Sequence, residues 1–247
     1  GPADDGDKYY TNSASQGDYH VSTLSYLPDA GYMGQATIPV TYITAAGIET
    51  TGVIKVSVST KTDSAQFKDV TRSNVGTWAA DAVDFAYHFG LVSGVSKTEF
   101  APNSPMTRAQ LVTVLYRAAG SPSVTVSTNF EDLDVGSYYY SAVVWANVNG
   151  IVNGTSDTTF SPDSRLTRQQ LAAILYRYAR AFGGDTSYIG NLSHFTDRHQ
   201  VDSYATTPMI WAVSHEIISG TSDTTLSPLS TATRAQVVVI LHRYLTD

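Results

Sequence analysis

Three arginines recur in this chain at the same position of a repeated segment. The segment reads GVSKTEFAPNSPMTR from Gly94 to Arg108, GTSDTTFSPDSRLTR from Gly154 to Arg168 and GTSDTTLSPLSTATR from Gly220 to Arg234. A second arginine follows nine residues after each of the first, at Arg117, Arg177 and Arg243. Because a guanidinium binds a carboxylate or phosphate through two parallel hydrogen bonds, the repeat predicts three copies of one anion-binding site.

Each of the first arginines directly follows a threonine that predicts the start of a helix. The pattern T-R-x-Q has the form of a capping box, in which the threonine oxygen and the glutamine side chain satisfy the first backbone N–H groups. The three glutamines are Gln110, Gln170 and Gln236. The capping box does not account for the arginine, since a cation at the positive end of a helix is unfavourable by about 0.3–1 kcal/mol.

Two interpretations of the arginine remain open. In the first, the guanidinium joins the N-terminal amides and the dipole of the helix in one anion site. In the second, it forms an ion pair with a carboxylate. A repeated F-x-D tripeptide supplies one candidate carboxylate per repeat, at Asp69, Asp132 and Asp197. One arginine can serve both purposes.

Glycine and aromatic residues recur around the arginine. We expect the repeated glycines to need a positive φ, and a glycine also lets a ligand approach the main chain closely. They are Gly94, Gly154 and Gly220. An aromatic residue opens the first predicted helix of each repeat, at Trp78, Tyr138 and Tyr204. These rings fit either packing inside the repeat or stacking on the face of a sugar.

The composition excludes several classes of protein. A net charge of −7 and a pI near 5.2 argue against a nucleic-acid partner, which requires a basic face. The absence of cysteine excludes disulfides, thiol catalysis and cysteine-based zinc sites. The chain carries no metal-ligand spacing and no G-x-S-x-G or phosphate-loop motif, so we expect no enzyme, no cofactor and no metal. No apolar run approaches the ~20 residues that would predict membrane insertion.

The first part of the chain, residues 1–62, has the pattern of antiparallel strands. Its apolar and β-branched runs alternate and are separated by glycine-containing turns. The predicted strands are Tyr19 to Tyr26, Ala36 to Thr44 and Gly52 to Thr60. The stretch is short for a complete sandwich, so it forms either a truncated Ig-like module or a small sheet. It loosely resembles the tandem Ig-like repeats of bacterial surface proteins.

The remaining chain has helical periodicity and forms three helix–loop–helix repeats. The first helices are predicted over Trp78 to Phe89, Tyr138 to Asn149 and Tyr204 to His215. The second helices are predicted over Arg108 to Ala118, Arg168 to Ala181 and Arg234 to Leu245. Because each unit is too small to bury its own apolar face, the three units must pack on one another.

The repeated pieces together resemble S-layer homology modules. The order F-x-D, G-[LI]-V-[SN]-G, F-x-P and T-R-A-[EQ] appears as FKD, GLVSG, FAP and MTRAQ, then as FED, GIVNG, FSP and LTRQQ, then as FTD, EIISG, LSP and ATRAQ. The three copies cover about residues 64–247, as repeats at 64–122, 127–184 and 192–247. The resemblance implies a mainly α fold in which the repeats surround a central helical bundle with pseudo-threefold symmetry.

The resemblance also implies a function and a location. It implies a non-catalytic module at the extracellular cell surface that binds secondary cell-wall polysaccharide, often a pyruvylated glycan with the ketal on ManNAc. The ligand contacts are implied to lie in grooves between repeats and to involve Arg108, Arg168 and Arg234. The repeated aspartates, glycines and glutamines complete the candidate site. A pyruvate ketal is a carboxylate, which agrees with the anion site predicted from the arginines alone.

This chain departs from the family pattern in two ways. All three motifs carry glutamine where glutamate is commonest. In the third repeat, Glu216 replaces a helix-ending glycine, Leu226 replaces phenylalanine and Ala232 replaces a larger apolar residue. We therefore expect the third copy to form the weakest site.

Two other functions remain open. The tyrosine-rich, acidic chain also fits a structural lattice protein whose partners are neighbouring S-layer subunits. Alternatively, the chain is the anchor portion of a larger surface enzyme.

Overall fold

The computed structural model describes residues 8–16, 19–27, 34–43, 49–58, 66–71, 73 and 75–246. The chain divides into two compact units, Gly1–Thr62 and Asp63–Asp247.

The first unit contains two antiparallel hairpins. β1 (Lys8–Gln16) pairs with β2 (Tyr19–Leu27), and β3 (Gly34–Ile43) pairs with β4 (Glu49–Val58), so that each pair forms its own two-stranded sheet. The three strands expected from the sequence correspond to β2, β3 and β4. β1 was not expected, because KYYTNSASQ is mostly polar and lacks β-branched alternation. The Ig-like arrangement stays a prediction.

The second unit consists of three helix–loop–helix repeats, as the periodicity predicts. Its helices are α1 (Thr77–His88), α2 (Arg108–Ala118), α3 (Tyr140–Val148), α4 (Arg168–Ala181), α5 (Thr206–Ser214) and α6 (Arg234–Thr246). The second helix of each repeat begins at the arginine, where the threonine caps it. By contrast, α3 and α5 begin two residues later than predicted, because Tyr138 lies in the preceding turn and Tyr204 in a 3-10 turn, Ser203–Ala205.

The helices of neighbouring repeats pack in a closed ring. The second helix of each repeat lies against the first helix of the next: α2 on α3, α4 on α5, and α6 back on α1. At the centre, three backbone hydrogen bonds close a smaller ring, in which Met106 N–H donates to Ala232, Ala232 to Leu166, and Leu166 to Met106, at 2.8–3.0 Å. All three residues are fully buried. The pseudo-threefold arrangement therefore extends from the helices to single peptide groups.

A single hydrophobic core unites the three repeats. Each loop contributes one fully buried residue, which we call the plug residue: Phe100, Phe160 and Leu226. The smaller Leu226 and Ala232 of the third repeat are buried as completely as their larger counterparts. Within the described part of the chain, no helix combines the length and the apolar character that crossing a bilayer requires.

Candidate functional site

The aspartates of the F-x-D tripeptides hold the loops of their own repeats. Each carboxylate accepts two backbone N–H groups, one from the plug residue and one from the residue after it, at 2.7–2.9 Å. The residue after the plug has a left-handed backbone in every repeat, with φ of 58° at Ala101, 60° at Ser161 and 52° at Ser227. An L-residue pays for this conformation, so the two hydrogen bonds stabilise a strained turn. Asp69, Asp132 and Asp197 are thus explained by the loop itself.

The repeated arginines join one repeat to the next. Each Nε donates a hydrogen bond to the carbonyl oxygen of the plug residue in the following repeat. The pairs are Arg108–Phe160 at 2.9 Å, Arg168–Leu226 at 2.8 Å and Arg234–Phe100 at 2.8 Å. Aspartate and arginine therefore hold opposite sides of the same residue, the first at its N–H and the second at its carbonyl. The arginine and the aspartate therefore interact indirectly, through the plug residue that both of them contact. They also attract each other electrostatically.

The structure contradicts one prediction: the helix N-termini offer no amides to an anion. In α2, the N–H groups of Arg108 and Ala109 donate to the carbonyl oxygens of Ser164 and Pro162 in the next repeat, and that of Gln110 donates to the Thr107 hydroxyl. α4 and α6 show the same pattern. The capping boxes form as predicted, and they direct Gln110, Gln170 and Gln236 to the backbone of the capping threonines. Only the guanidinium groups remain to bind an anion.

The repeated glycines are needed for close packing more than for their backbone conformation. Only Gly154 has the expected positive φ, of 78°, whereas Gly94 and Gly220 lie outside the left-handed region. A Cβ at Gly154 would lie 2.6 Å from the Phe130 ring and 2.6 Å from a loop carbonyl. Equivalent clashes arise at the other two positions. The space on the Cβ side of each glycine is occupied by the loop and the F-x-D phenylalanine.

The aromatic residues at the start of each repeat are exposed rather than packed. The exposed fractions are 56% for Trp78, 64% for Tyr138 and 47% for Tyr204. Burial raises the pKa of both tyrosines, so their hydroxyls remain neutral hydrogen-bond donors at physiological pH. The rings are available to a ligand.

The arginines and tyrosines form three clusters, each drawn from more than one repeat. Cluster A contains Arg108, Arg177 and Tyr204, cluster B contains Arg234, Arg117 and Tyr138, and cluster C contains Arg168 and Arg243. In clusters A and B the tyrosine interacts electrostatically with both arginines. In cluster C, both arginines hydrogen-bond to Ser219, Arg168 to its carbonyl at 2.6 Å and Arg243 to its hydroxyl at 2.9 Å. Two of the departures in repeat three meet in cluster C, where the Leu226 carbonyl accepts from Arg168 and the Glu216 carbonyl accepts from Arg243.

The first arginines are buried cations. Arg108, Arg168 and Arg234 are only 6%, 5% and 7% exposed. Burial lowers the pKa of each, and the nearby aspartate acts in the opposite direction. A guanidinium nevertheless keeps its proton in proteins. Such cations favour an anionic partner, since their own hydration is largely lost.

The structure adds two features of the site that the sequence analysis did not identify. The nine-residue spacing reveals the second arginines, but it cannot show that the two arginines of one helix belong to different clusters. The second feature is Gln169, which stands where the other two repeats have alanine, at Ala109 and Ala235. Its amide is buried and bonds Asp202 twice, as donor at 2.6 Å and as acceptor at 2.9 Å. The departure of Gln169 from the repeat pattern is the sequence signal that could have identified this residue.

Other chemistry finds little support in the described residues. No group of three or more His, Asp or Glu side chains is placed to hold a metal ion there. One cavity of about 340 Å³ lies beside cluster C, lined by Val213, Glu216, Ile218, Ser219 and Arg243. What the site offers is cations, hydroxyls and exposed rings, a set suited to binding an acidic sugar.

The fold and the site define a three-repeat binding module. The S-layer homology domain family matches this chain three times, over residues 66–112, 130–172 and 194–238. The chain belongs to this family. S-layer homology domains anchor surface proteins to the cell wall and are not themselves catalytic.

Three larger proteins contain a segment similar to this chain. The surface-layer 125 kDa protein of Lysinibacillus sphaericus is 27% identical over 201 residues, which cover 80% of this chain and 16% of that protein. An amylopullulanase of Thermoanaerobacterium thermosulfurigenes is 27% identical, over 67% of this chain and 9% of the enzyme. An endoglucanase of Bacillus sp. strain KSM-635 is 25% identical, over 73% of this chain and 19% of the enzyme. The chain spans less than a fifth of the length of each.

Proposed function

We propose that this chain tethers a surface protein to the cell wall by binding an acidic secondary cell-wall polysaccharide through its arginine clusters. The carboxylate of a pyruvate ketal on ManNAc is the ligand group that the clusters suit best. The observation that carries the proposal is the burial of three cations, each beside exposed aromatic or hydroxyl groups, at the junctions between repeats.

The relatives support a tether and not a catalyst. One relative is named for a surface layer, and two are named as polysaccharide-degrading enzymes. They share with this chain a segment that makes up a small part of each of them. A segment common to proteins of such different activity serves a need that they have in common, which we infer to be attachment to the wall at the extracellular face.

Sedimentation with purified cell-wall sacculi tests the proposal. We expect the protein to sediment with intact sacculi and to stay in solution once the attached polysaccharide has been removed. Equal sedimentation with stripped sacculi would refute glycan binding. Adding the pyruvylated sugar in solution should release the bound protein, whereas the same sugar with its carboxylate esterified should not.

Self-assembly into a lattice is the second candidate function. The surface-layer relative favours it, since that protein's name describes a layer. Light scattering at high protein concentration, with and without divalent cations, tests this candidate. A monomer under all conditions would leave attachment as the function of the segment.

A further inference from the structure

The three clusters are not equivalent in their hydrogen bonding. In cluster B, Nη2 of Arg234 donates to the Ser93 carbonyl at 2.7 Å, and in cluster C, Nη2 of Arg168 donates to the Ser219 carbonyl at 2.6 Å. The corresponding carbonyl for cluster A belongs to Asn153. Within the described part of the chain, the terminal nitrogens of Arg108 make no hydrogen bond, and its one bond is from Nε.

The terminal nitrogens of Arg108 face solvent. Because no buried side-chain nitrogen or oxygen in the described residues lacks a partner, these nitrogens must reach solvent although the residue is only 6% exposed. The hydrogen bond from Arg177, the second arginine of cluster A, to the Ile151 carbonyl is long, at 3.4 Å. Burial and the nearby charge of Arg177 both lower the pKa of Arg108.

The tyrosine of cluster A is held in place by a contact that the other clusters lack. Gln169, in the first turn of α4, bonds Asp202 as both donor and acceptor. Asp202 directly precedes the 3-10 turn Ser203–Ala205, which itself packs on α4. Tyr204 is therefore fixed beside Arg177, which also lies on α4. Clusters B and C have alanine in place of this glutamine, at Ala109 and Ala235.

These observations rank the sites. We propose that cluster A is the principal binding site for the sugar carboxylate, with Arg108, Arg177 and Tyr204 as its ligands and Gln169 as a positioning residue. Each repeat contributes one of the three ligands. Clusters B and C bind more weakly, because a serine carbonyl there already accepts from a terminal nitrogen of the arginine, which at Arg108 is left for a carboxylate. This ranking rests on the proposed function and specifies where it is performed.

Matched variants of the full chain test the ranking. In cluster A they are Arg108→Lys, Arg177→Gln and Tyr204→Phe, and in cluster B they are Arg234→Lys, Arg117→Gln and Tyr138→Phe. Lysine retains a donor for the plug carbonyl, so that the fold is preserved, and thermal unfolding verifies this for each variant. The probe is the methyl glycoside of ManNAc with a 4,6-pyruvate ketal, titrated calorimetrically.

We expect one tight site, and each cluster A variant should weaken it roughly ten- to hundredfold, the value of one charge-assisted hydrogen bond. The cluster B variants should weaken it much less. Equal losses in the two clusters, or larger losses in cluster B, would overturn the ranking.

The positioning role of Gln169 requires a separate readout. Gln169→Ala restores the residue of the other repeats and should weaken binding in the wild-type background. In the Tyr204→Phe background it should have no further effect, because it acts through the tyrosine hydroxyl. Additive losses would show that Gln169 acts through the fold alone.

The six matched variants are also sedimented with intact sacculi. If the wild type fails to bind sacculi, both the proposed function and the ranking fall. If the wild type binds sacculi but the losses do not favour cluster A, only the ranking falls. The sedimentation experiment therefore tests the ranking even if the wall glycan differs from the glycoside.

Discussion

In each repeat, one aspartate carboxylate accepts hydrogen bonds from two backbone N–H groups. At Asp197 these hydrogen bonds change the pKa of the carboxyl group. Desolvation alone would raise the pKa of Asp197. The hydrogen bonds from the N–H groups of Leu226 and Ser227 outweigh that effect and hold the pKa below its ordinary value. The carboxylate is partly exposed, so solvent screens the interaction and the gain in stability is modest.

The first prediction concerns Asp197 and pH. A carboxyl group with a depressed folded-state pKa contributes stability at neutral pH that is lost as the pH falls below about 4, the ordinary aspartate range. Asp197→Asn should lower the free energy of unfolding by about 1–2 kcal/mol at pH 7, because the amide offers one acceptor for two donors. The variant should also lack part of the acid-induced loss between about pH 4 and pH 2. Urea unfolding as a function of pH measures both effects.

Asp223→Asn is the matched control for this prediction, since Asp223 is an exposed loop aspartate of the same repeat. It should leave the unfolding free energy nearly unchanged. An equal effect of the two substitutions would show that net charge, and not the loop hydrogen bonds, is responsible.

At the residue scale, the sequence singled out the repeated arginines but did not show what surrounds them. The argument that capping explains the threonine and the glutamine is confirmed by the geometry of α2 and α4. The proposed use of the helix amides was wrong, because the competing carbonyl acceptors belong to the next repeat. The arginine acceptors lie 52, 58 and 134 positions away along the chain. No local spacing encodes such partners.

At the scale of the element, the end of α5 differs from the ends of α1 and α3. The first helices of repeats one and two are followed by glycines with a left-handed backbone, Gly90 at φ 66° and Gly150 at φ 69°. Repeat three places Glu216 there, at φ 56°. A left-handed conformation costs an L-residue about 1–2 kcal/mol, whereas glycine adopts it freely.

The second prediction follows from this helix end. Glu216→Gly should raise the free energy of unfolding by about 0.5–1 kcal/mol, the relief of strain less the extra entropy that glycine brings to the unfolded chain. Gly150→Ala is the matched converse and should be destabilising, although a Cβ there would meet nothing within 4 Å. Chemical denaturation of both variants measures the effects. A destabilising Glu216→Gly would show that the side chain has a compensating contact.

Helix starts illustrate what sequence patterns can determine at this scale. The capping box predicted the first residue of α2, α4 and α6. This was possible because the capping threonine and the glutamine that completes the box are close together in the sequence. α3 and α5 have no side-chain cap, so nothing in the sequence marked their first turn. Apolar periodicity alone extended both helices to the preceding tyrosines. Those tyrosines lie outside the helix and are exposed.

At the scale of the whole molecule, the repeats form a closed ring and not an open array. In an open array, terminal repeats need contact only one neighbour. Here α6 packs on α1, and the Arg234 bond to Phe100 links repeat three to repeat one. The sequence predicted that the repeats must share a core, from the size of their apolar faces. It did not reveal the backbone ring at the centre, because peptide groups of Met106, Leu166 and Ala232 carry no sequence signal.

The third prediction is that the ring folds as one cooperative unit. Removing the residues after 190 would take away α6 from the face of α1, and Ala232 from the central ring. Met106 N–H and the Leu166 carbonyl would lose their partners in the middle of the core, at a cost of about 1–3 kcal/mol each. The truncated chain should therefore lack native packing, not retain two stable repeats. Fluorescence of Trp145, which is buried in repeat two, and near-ultraviolet circular dichroism should both report its loss.

A chain that begins at Asp63 is the matched control, because the second unit contains a complete core of its own. It should unfold in a single transition that is the same by fluorescence and by circular dichroism. If the two-repeat chain instead showed a sharp transition with Trp145 protected, each repeat junction would be stable by itself. Closure would then serve to assemble the ligand clusters and would not be needed for folding. The cluster A ligands would still require all three repeats, so the truncated chain should fail to bind the glycoside in either case.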